Sequence, residues 1–97
     1  MTIINVRSLQ GPHVIGIFDL VRYDGLILRG CKLFVSKGKP KVGLPQYDRG
    51  PEIVQGRFWD AVGFESPAAY ALYQQRALEA LRAHPVALQI LQKWFPT

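Results

Sequence analysis

The chain has 97 residues, with 12 Lys and Arg against 7 Asp and Glu, giving a formal net charge of +5. That length suits one domain whose core buries roughly 65% of the unfolded surface, and 48% hydrophobic with 20% charged residues excludes a disordered chain. The single cysteine, Cys31, excludes an intramolecular disulfide framework and a Cys-based zinc site.

An unpaired thiol fits a reducing, cytosolic-type compartment. No apolar run approaches the roughly 20 residues of a spanning helix. The start, Met1 to Arg7, lacks the basic-then-apolar layout of a signal peptide. The expectation is a cytoplasmic, single-domain protein spanning 1–97, without a membrane segment.

The first two-thirds reads as strands. Thr2 to Leu9 alternates imperfectly, with Ile4 and Val6 against Asn5 and Arg7, and Gly11-Pro12 breaks it. Val14 to Arg22 is rich in branched and aromatic residues, which favour a pleated, half-buried surface. Asp24-Gly25 predicts a two-residue type I′ hairpin turn, in which both central residues take φ > 0. Leu26 to Ser36 is the returning strand. Strict alternation would put Leu26, Leu28, Gly30, Lys32 and Phe34 on one face and Ile27, Arg29, Cys31, Leu33 and Val35 on the other. Neither face is purely polar, so this strand is predicted to be central and covered on both sides.

Lys37-Gly38-Lys39-Pro40 predicts a second turn, and Lys41 to Leu44 a short strand stopped by Pro45. Residues 46–52 read as a polar loop. Ile53 to Phe64 resumes strand character, with Gly56 as a candidate bulge. Ser66-Pro67 then starts a helix, an N-cap followed by proline where its missing N–H costs nothing. Tyr70, Tyr73, Ala77, Leu78 and Leu81 mark the face that covers the sheet; Gln74, Gln75, Arg76, Glu79 and Arg82 mark the wet side. Pro85 breaks the helix around His84. Ala87, Ile90, Leu91, Trp94 and Phe95 form a second, shorter amphipathic set. The fold class is α+β: a small antiparallel sheet of about five strands over residues 2–64, then a C-terminal helix and a short second helix over 66–95.

Little in the chain is arranged for catalysis. Ser8, Ser36, Ser66 and Cys31 are the candidate nucleophiles and His13 and His84 the candidate bases, and none sits in a recognisable motif. Cys31, mid-strand, reads as a small core residue. His84 reads as a helix-terminus residue and His13 as a loop residue. No metal-ligand spacing and no phosphate-loop order occurs. Asp19 lies inside an apolar strand, where a carboxylate demands hydrogen bonds or a cation, so it reads as structural. No catalysis and no cofactor are expected.

The charge is unevenly placed. Residues 25–47 contain no carboxylate, yet hold Arg29, Lys32, Lys37, Lys39 and Lys41; the remainder carries seven cations and seven carboxylates. The whole excess therefore lies in one stretch. A basic patch on a neutral body is the footprint of a polyanion binder, although lysines also blunt edge strands. Cations on phosphates and flat side chains under bases are what nucleic-acid binding requires. Phe34, Tyr47, Phe58, Trp59 and Tyr23 are the candidate rings; most of the Phe and Trp residues read as core, and Tyr47, in the polar loop, and Tyr23, before Asp24-Gly25, are the better exposed candidates.

The order Ile17-Phe18-Asp19-Leu20, Gly25, Leu28-Arg29-Gly30-Cys31-Lys32-Leu33, a glycine-containing turn, then Val42-Gly43-Leu44-Pro45 resembles the stage V sporulation protein G (SpoVG) family. The strand Arg57 to Phe64 and the helix around Gln75 to Leu81 fit the same pattern, so the resemblance covers residues 3–83. It implies a small sheet with a C-terminal helix, dimerisation through strands, and regulatory binding of DNA or RNA. The residues it carries over are Arg29, Lys32, Lys37, Lys39 and Lys41, with Arg76 and Arg82 on the helix. Gln46-Tyr47 departs from the Ser-plus-basic pattern that relatives place after the proline, and the 85–97 tail exceeds the family's length. The expectation is a non-enzymatic, nucleic-acid-binding, homodimeric regulator that uses a basic hairpin. The alternative is a protein–protein interaction module using an edge strand and the apolar tail, with Trp94 and Phe95 as the partner site.

Overall fold

The computed structural model describes residues 1–48, 58–60 and 63–96, with residues 46–48 and 58–60 described as backbone only. Four strands, β1 (Thr2–Ser8), β2 (Val14–Val21), β3 (Ile27–Ser36) and β4 (Lys39–Gly43), form an antiparallel meander in the order β1-β2-β3-β4. Two three-residue strands, β5 (Gln46–Asp48) and β6 (Phe58–Asp60), make a separate antiparallel pair. Helices α1 (Pro67–Arg82) and α2 (Pro85–Trp94) follow.

The main sheet thus has four strands, where the sequence suggested about five. Within the expected strand Ile53 to Phe64, only Phe58–Asp60 is described as extended, and it pairs with Gln46–Asp48, expected to be loop, and not with the main sheet. The remaining expectations at 49–57 and 61–62, including the Gly56 bulge, lie outside the described residues.

The first hairpin turn differs in type from expectation. At the first, the Gly25 N–H donates to the Arg22 carbonyl at 3.0 Å and the Arg22 N–H to the Leu26 carbonyl at 2.8 Å. Only Gly25 has positive φ there, 86°. This is a type I turn closed by a left-handed glycine, a three-residue loop, and not the type I′ turn that Asp24-Gly25 predicts. The type I′ turn is instead at Lys37 (φ 53°) and Gly38 (φ 74°), closed by the Ser36–Lys39 pair. Lys39 and Pro40, expected in the turn, belong to β4.

Three register shifts shape the sheet. They fall between Ile4 and Arg7 in β1, between Val14 and Gly16 in β2, and opposite Asp19, where Arg29 and Gly30 together face one residue. Asn5 (φ 55°) and Gly30 (φ 76°) supply the left-handed backbone at the first and third. Each bulge resets the alternation. Leu28 therefore shares a face with Cys31 and Leu33, correcting the strict period-two reading of β3.

One face of the sheet supplies Ile3, Ile15, Phe18, Leu20, Cys31, Leu33 and Val42 to a single buried cluster. Helix α1 adds Tyr73, Ala77 and Leu81, and α2 adds Ala87, Ile90 and Leu91. Full burial of one such large side chain contributes about 1.5–3 kcal/mol. Helix α1 starts where the sequence predicts. The Ser66 hydroxyl accepts from the Ala69 N–H at 3.1 Å, with Pro67 at the first helical position. His84 caps α2, its Nδ1 accepting from the Ala87 N–H at 3.5 Å. Trp94 and Phe95 are half-buried against the same cluster, on their own chain.

The α1 face differs from expectation at two places. Gln74, expected wet, is buried, and Tyr70, expected to cover the sheet, is 39% exposed. The reason is the edge of β4. Leu33–Val42 lies one pair away from Phe34–Lys41, so the Val42 backbone groups point outward from the ladder. Gln74 takes both: its Oε1 accepts from the Val42 N–H at 2.9 Å and its Nε2 donates to the Val42 carbonyl. Pro40 turns the same way and has no N–H to offer. The outer edge of β4 is blunted by one glutamine and one proline.

Candidate nucleic-acid interface

The basic residues are set out by the β3–β4 ladder. Cys31, Leu33 and Val42 are buried toward the helices, so Lys32, Phe34 and Lys41 lie on the opposite face. Ser36 and Lys39 share that face by register. The cross-strand row Arg7–Ile17–Lys32–Gly43 adds Arg7 from β1. Lys37 projects from the turn, and Lys37 and Lys39 are exposed. Arg29 lies at the bulge opposite Asp19. The expected residues Arg29, Lys32, Lys39 and Lys41 are therefore brought to one sheet face, with Lys37 at its rim.

Arg7 escaped the sequence reading. Nothing in the residue order announces the bulge between Ile4 and Arg7 that pairs Arg7 with Ile17, in the row of Lys32.

Among the described residues Asp19 is the carboxylate on this face, and it is built into the sheet. Its Oδ2 accepts from Asn5 Nδ2 at 2.9 Å, and its Oδ1 accepts from the Gly30 N–H at 2.9 Å. Arg29 Nη1 lies 3.6 Å from Oδ2, with the Asp19 side chain only 16% exposed. One carboxylate so ties the β1 bulge to the β3 bulge. Its pKa is lowered, first by the Asn5 amide, then by the Gly30 N–H, against an opposing desolvation cost, with the Arg29 and Arg7 charges adding to the lowering. This is the structural role that a carboxylate in an apolar strand demands.

Arg76 and Arg82 are exposed on α1 and are not brought to this face. Arg76 lines a groove with Arg22, Tyr23, Leu26 and Leu72, at the end where β3 begins. β3 has ten residues, so that end is roughly 30 Å from Lys37 at about 3.3 Å per residue. Tyr23 is 76% exposed there, as expected of a turn residue, but it too is remote from the lysines. The side chain of Tyr47 lies outside the described residues.

Two aromatic residues the sequence assigned to the core border the basic strand. Phe34 is half-buried, its ring so close over Gly43 that a Cβ there would sit 3.3 Å from Phe34 Cε1. Tyr70 has the Lys41 ammonium 5.9 Å from its ring centroid and Phe64 edge-on at 5.4 Å. No sequence period marks Tyr70 as accessible, because its exposure follows from α1 lying along the β4 edge.

The candidate nucleophile is withdrawn from solvent. Cys31 is fully buried, its thiol donating to the Leu28 carbonyl at 3.5 Å and accepting from the Tyr73 hydroxyl at 4.0 Å. Burial pushes its pKa up to about 11, against a smaller opposing effect of the Tyr73 hydroxyl. Burial likewise raises that of Tyr73. A thiol so placed is a core residue. Among the described residues no group of His, Cys, Asp and Glu side chains could hold a metal ion, and no helix is long and apolar enough to cross a membrane. In comparison with known proteins, no family model, curated protein or solved structure matches this chain.

Proposed function

We propose that this protein is a non-enzymatic, nucleic-acid-binding regulator that holds the phosphate backbone on its β3–β4 hairpin. The observation that carries the reading is the concentration of Arg29, Lys32, Lys37, Lys39 and Lys41 on two adjacent strands and their turn, in a stretch without a carboxylate. Arg7 extends the same surface onto β1. The resemblance of the β2–β4 motifs to the stage V sporulation protein G family supports the same reading and would make the protein a cytoplasmic homodimer.

The test is fluorescence anisotropy of labelled single-stranded DNA, duplex DNA and RNA at about 50 and about 200 mM salt. Four phosphate contacts lose on the order of 10² in affinity across that range. The triple variant Lys37→Glu, Lys39→Glu, Lys41→Glu should abolish binding to every polyanion. Equal binding by wild type and variant would overturn the proposal. The alternative, a protein-interaction module, draws on the exposed apolar residues Tyr23, Leu26 and Leu72. It has less support from the β4 edge and the tail, since Gln74 and Pro40 occupy that edge and Trp94 and Phe95 pack on their own core.

A further inference from the structure

Beside the basic strand, the β4 edge and the start of α1 enclose a groove of about 600 Å³. It is lined by Phe34, Val42, Gly43, Leu44, Phe64 and Tyr70 around the β4 edge. Three flat rings thus surround one space, within the size range of small-ligand sites. Phe34 is held against Gly43, Tyr70 meets Phe64 at an interplanar angle of 83°, and the Lys41 ammonium lies 5.9 Å from the Tyr70 ring centroid. Lys41 therefore serves both surfaces: it stands on the basic face and at the mouth of the aromatic groove. Glu65 also lines the groove and can accept from a base N–H, such as N3–H of thymine or uracil.

Resting on the nucleic-acid reading above, we propose that the protein takes single-stranded nucleic acid, placing a base of the strand in the groove between Phe34 and Tyr70 while its phosphates run over Lys41 and Lys39. A cationic track beside aromatic faces is the arrangement that recognises single strands, because an unpaired base offers its π-face whatever its identity. In a duplex that face is covered by neighbouring pairs. A purely electrostatic surface would need the lysines but not the rings.

The experiment compares four labelled probes: a short oligothymidine, the matching oligouridine, the thymidine–adenosine duplex, and polyphosphate, which has charge but no bases. They are titrated with wild type, Tyr70→Leu, Phe34→Leu and the triple Lys→Glu variant, and each variant's folding is checked by thermal melting. Tyr70 is exposed, so its replacement tests the groove even if Phe34→Leu fails to fold. Expected are tighter binding of single strands than of duplex, and a roughly five- to hundredfold loss for oligothymidine or oligouridine in Tyr70→Leu. Polyphosphate and duplex affinities should stay unchanged in that variant. Equal affinity for all four probes, or no effect of Tyr70→Leu, overturns the groove while leaving the basic hairpin intact. Absence of binding to any probe overturns both.

Discussion

Lys37 allows the fold and the proposed function to be moved in opposite directions by one substitution. It occupies the first central position of the type I′ turn with φ 53°, a left-handed conformation next to Gly38 at φ 74°. For an L-residue with a Cβ that region costs roughly 1–2 kcal/mol, and asparagine tolerates it far better because its short amide bonds locally. Lys37→Asn should therefore stabilise the hairpin by about 1 kcal/mol, raising the melting temperature of a domain of this size by about 4–8 °C. The same change deletes an exposed cation from the rim of the basic face. If Lys37 contacts a phosphate, the slope of log K against log salt becomes shallower by about 0.7 for single strands or 0.9 for duplex. That is roughly a threefold smaller loss of affinity between about 50 and 200 mM salt. Thermal melting and salt-series anisotropy on the same preparation measure both. A melting temperature that falls or stays put would refute the strain argument. A raised melting temperature with an unchanged salt slope would remove Lys37 from the interface.

Three further expectations concern the frame that positions the site. Asp19→Ala removes the acceptor of the Asn5 amide and of the Gly30 N–H and should destabilise by about 2–3 kcal/mol, measured by urea unfolding at neutral pH. Because the folded-state pKa of Asp19 lies below its unfolded value, its contribution is present above about pH 4 and disappears as the pH falls through the folded value. The stability gap between wild type and variant should accordingly close on acidification; a gap that is constant down to pH 2 contradicts this. Gln74→Leu orphans both outward groups of Val42 and should cost about 2–4 kcal/mol. It should also expose the β4 edge to concentration-dependent self-association, readable by size-exclusion chromatography, whereas a monodisperse and fully stable variant would show that the edge is protected otherwise. Cys31, buried and with its pKa pushed up to about 11, should resist thiol-specific reagents in the native protein at pH 8 and react promptly in denaturant. Fast native labelling would contradict its place in the core.

Much of this frame can be read from residue order, because it rests on local chemistry. Ser66-Pro67 announces the start of α1, Pro85 announces the break after it, and branched residues from Val14 onward announce β2. The apolar spacing of Ala87, Ile90 and Leu91 announces the buried side of α2. What could not be read depends on partners distant in sequence. The bulge at Arg29–Gly30 exists because Asp19, eleven residues earlier, binds the Gly30 N–H, and it moves Leu28 to the buried face. Gln74 looks like a solvent residue until β4, more than thirty positions away, presents two backbone groups to it. Asp24-Gly25 and Lys37-Gly38 both offer a glycine in the right place. The number of residues between paired strands, set by register, decides which turn each becomes. On the proposed interface, the lysines are visible as a run without carboxylates. Arg7 and Tyr70 join them only through a bulge and through the seating of α1 along the edge of the sheet.

The central claim is that the charge excess of residues 25–47 is a polyanion-binding surface. Its most direct measurement is the salt dependence of anisotropy for labelled single-stranded nucleic acid with wild type and with the Lys37→Glu, Lys39→Glu, Lys41→Glu variant. The account predicts binding at about 50 mM salt that falls on the order of a hundredfold by about 200 mM and is lost in the variant. Binding that ignores salt, or a folded variant that binds as tightly as wild type, would contradict it.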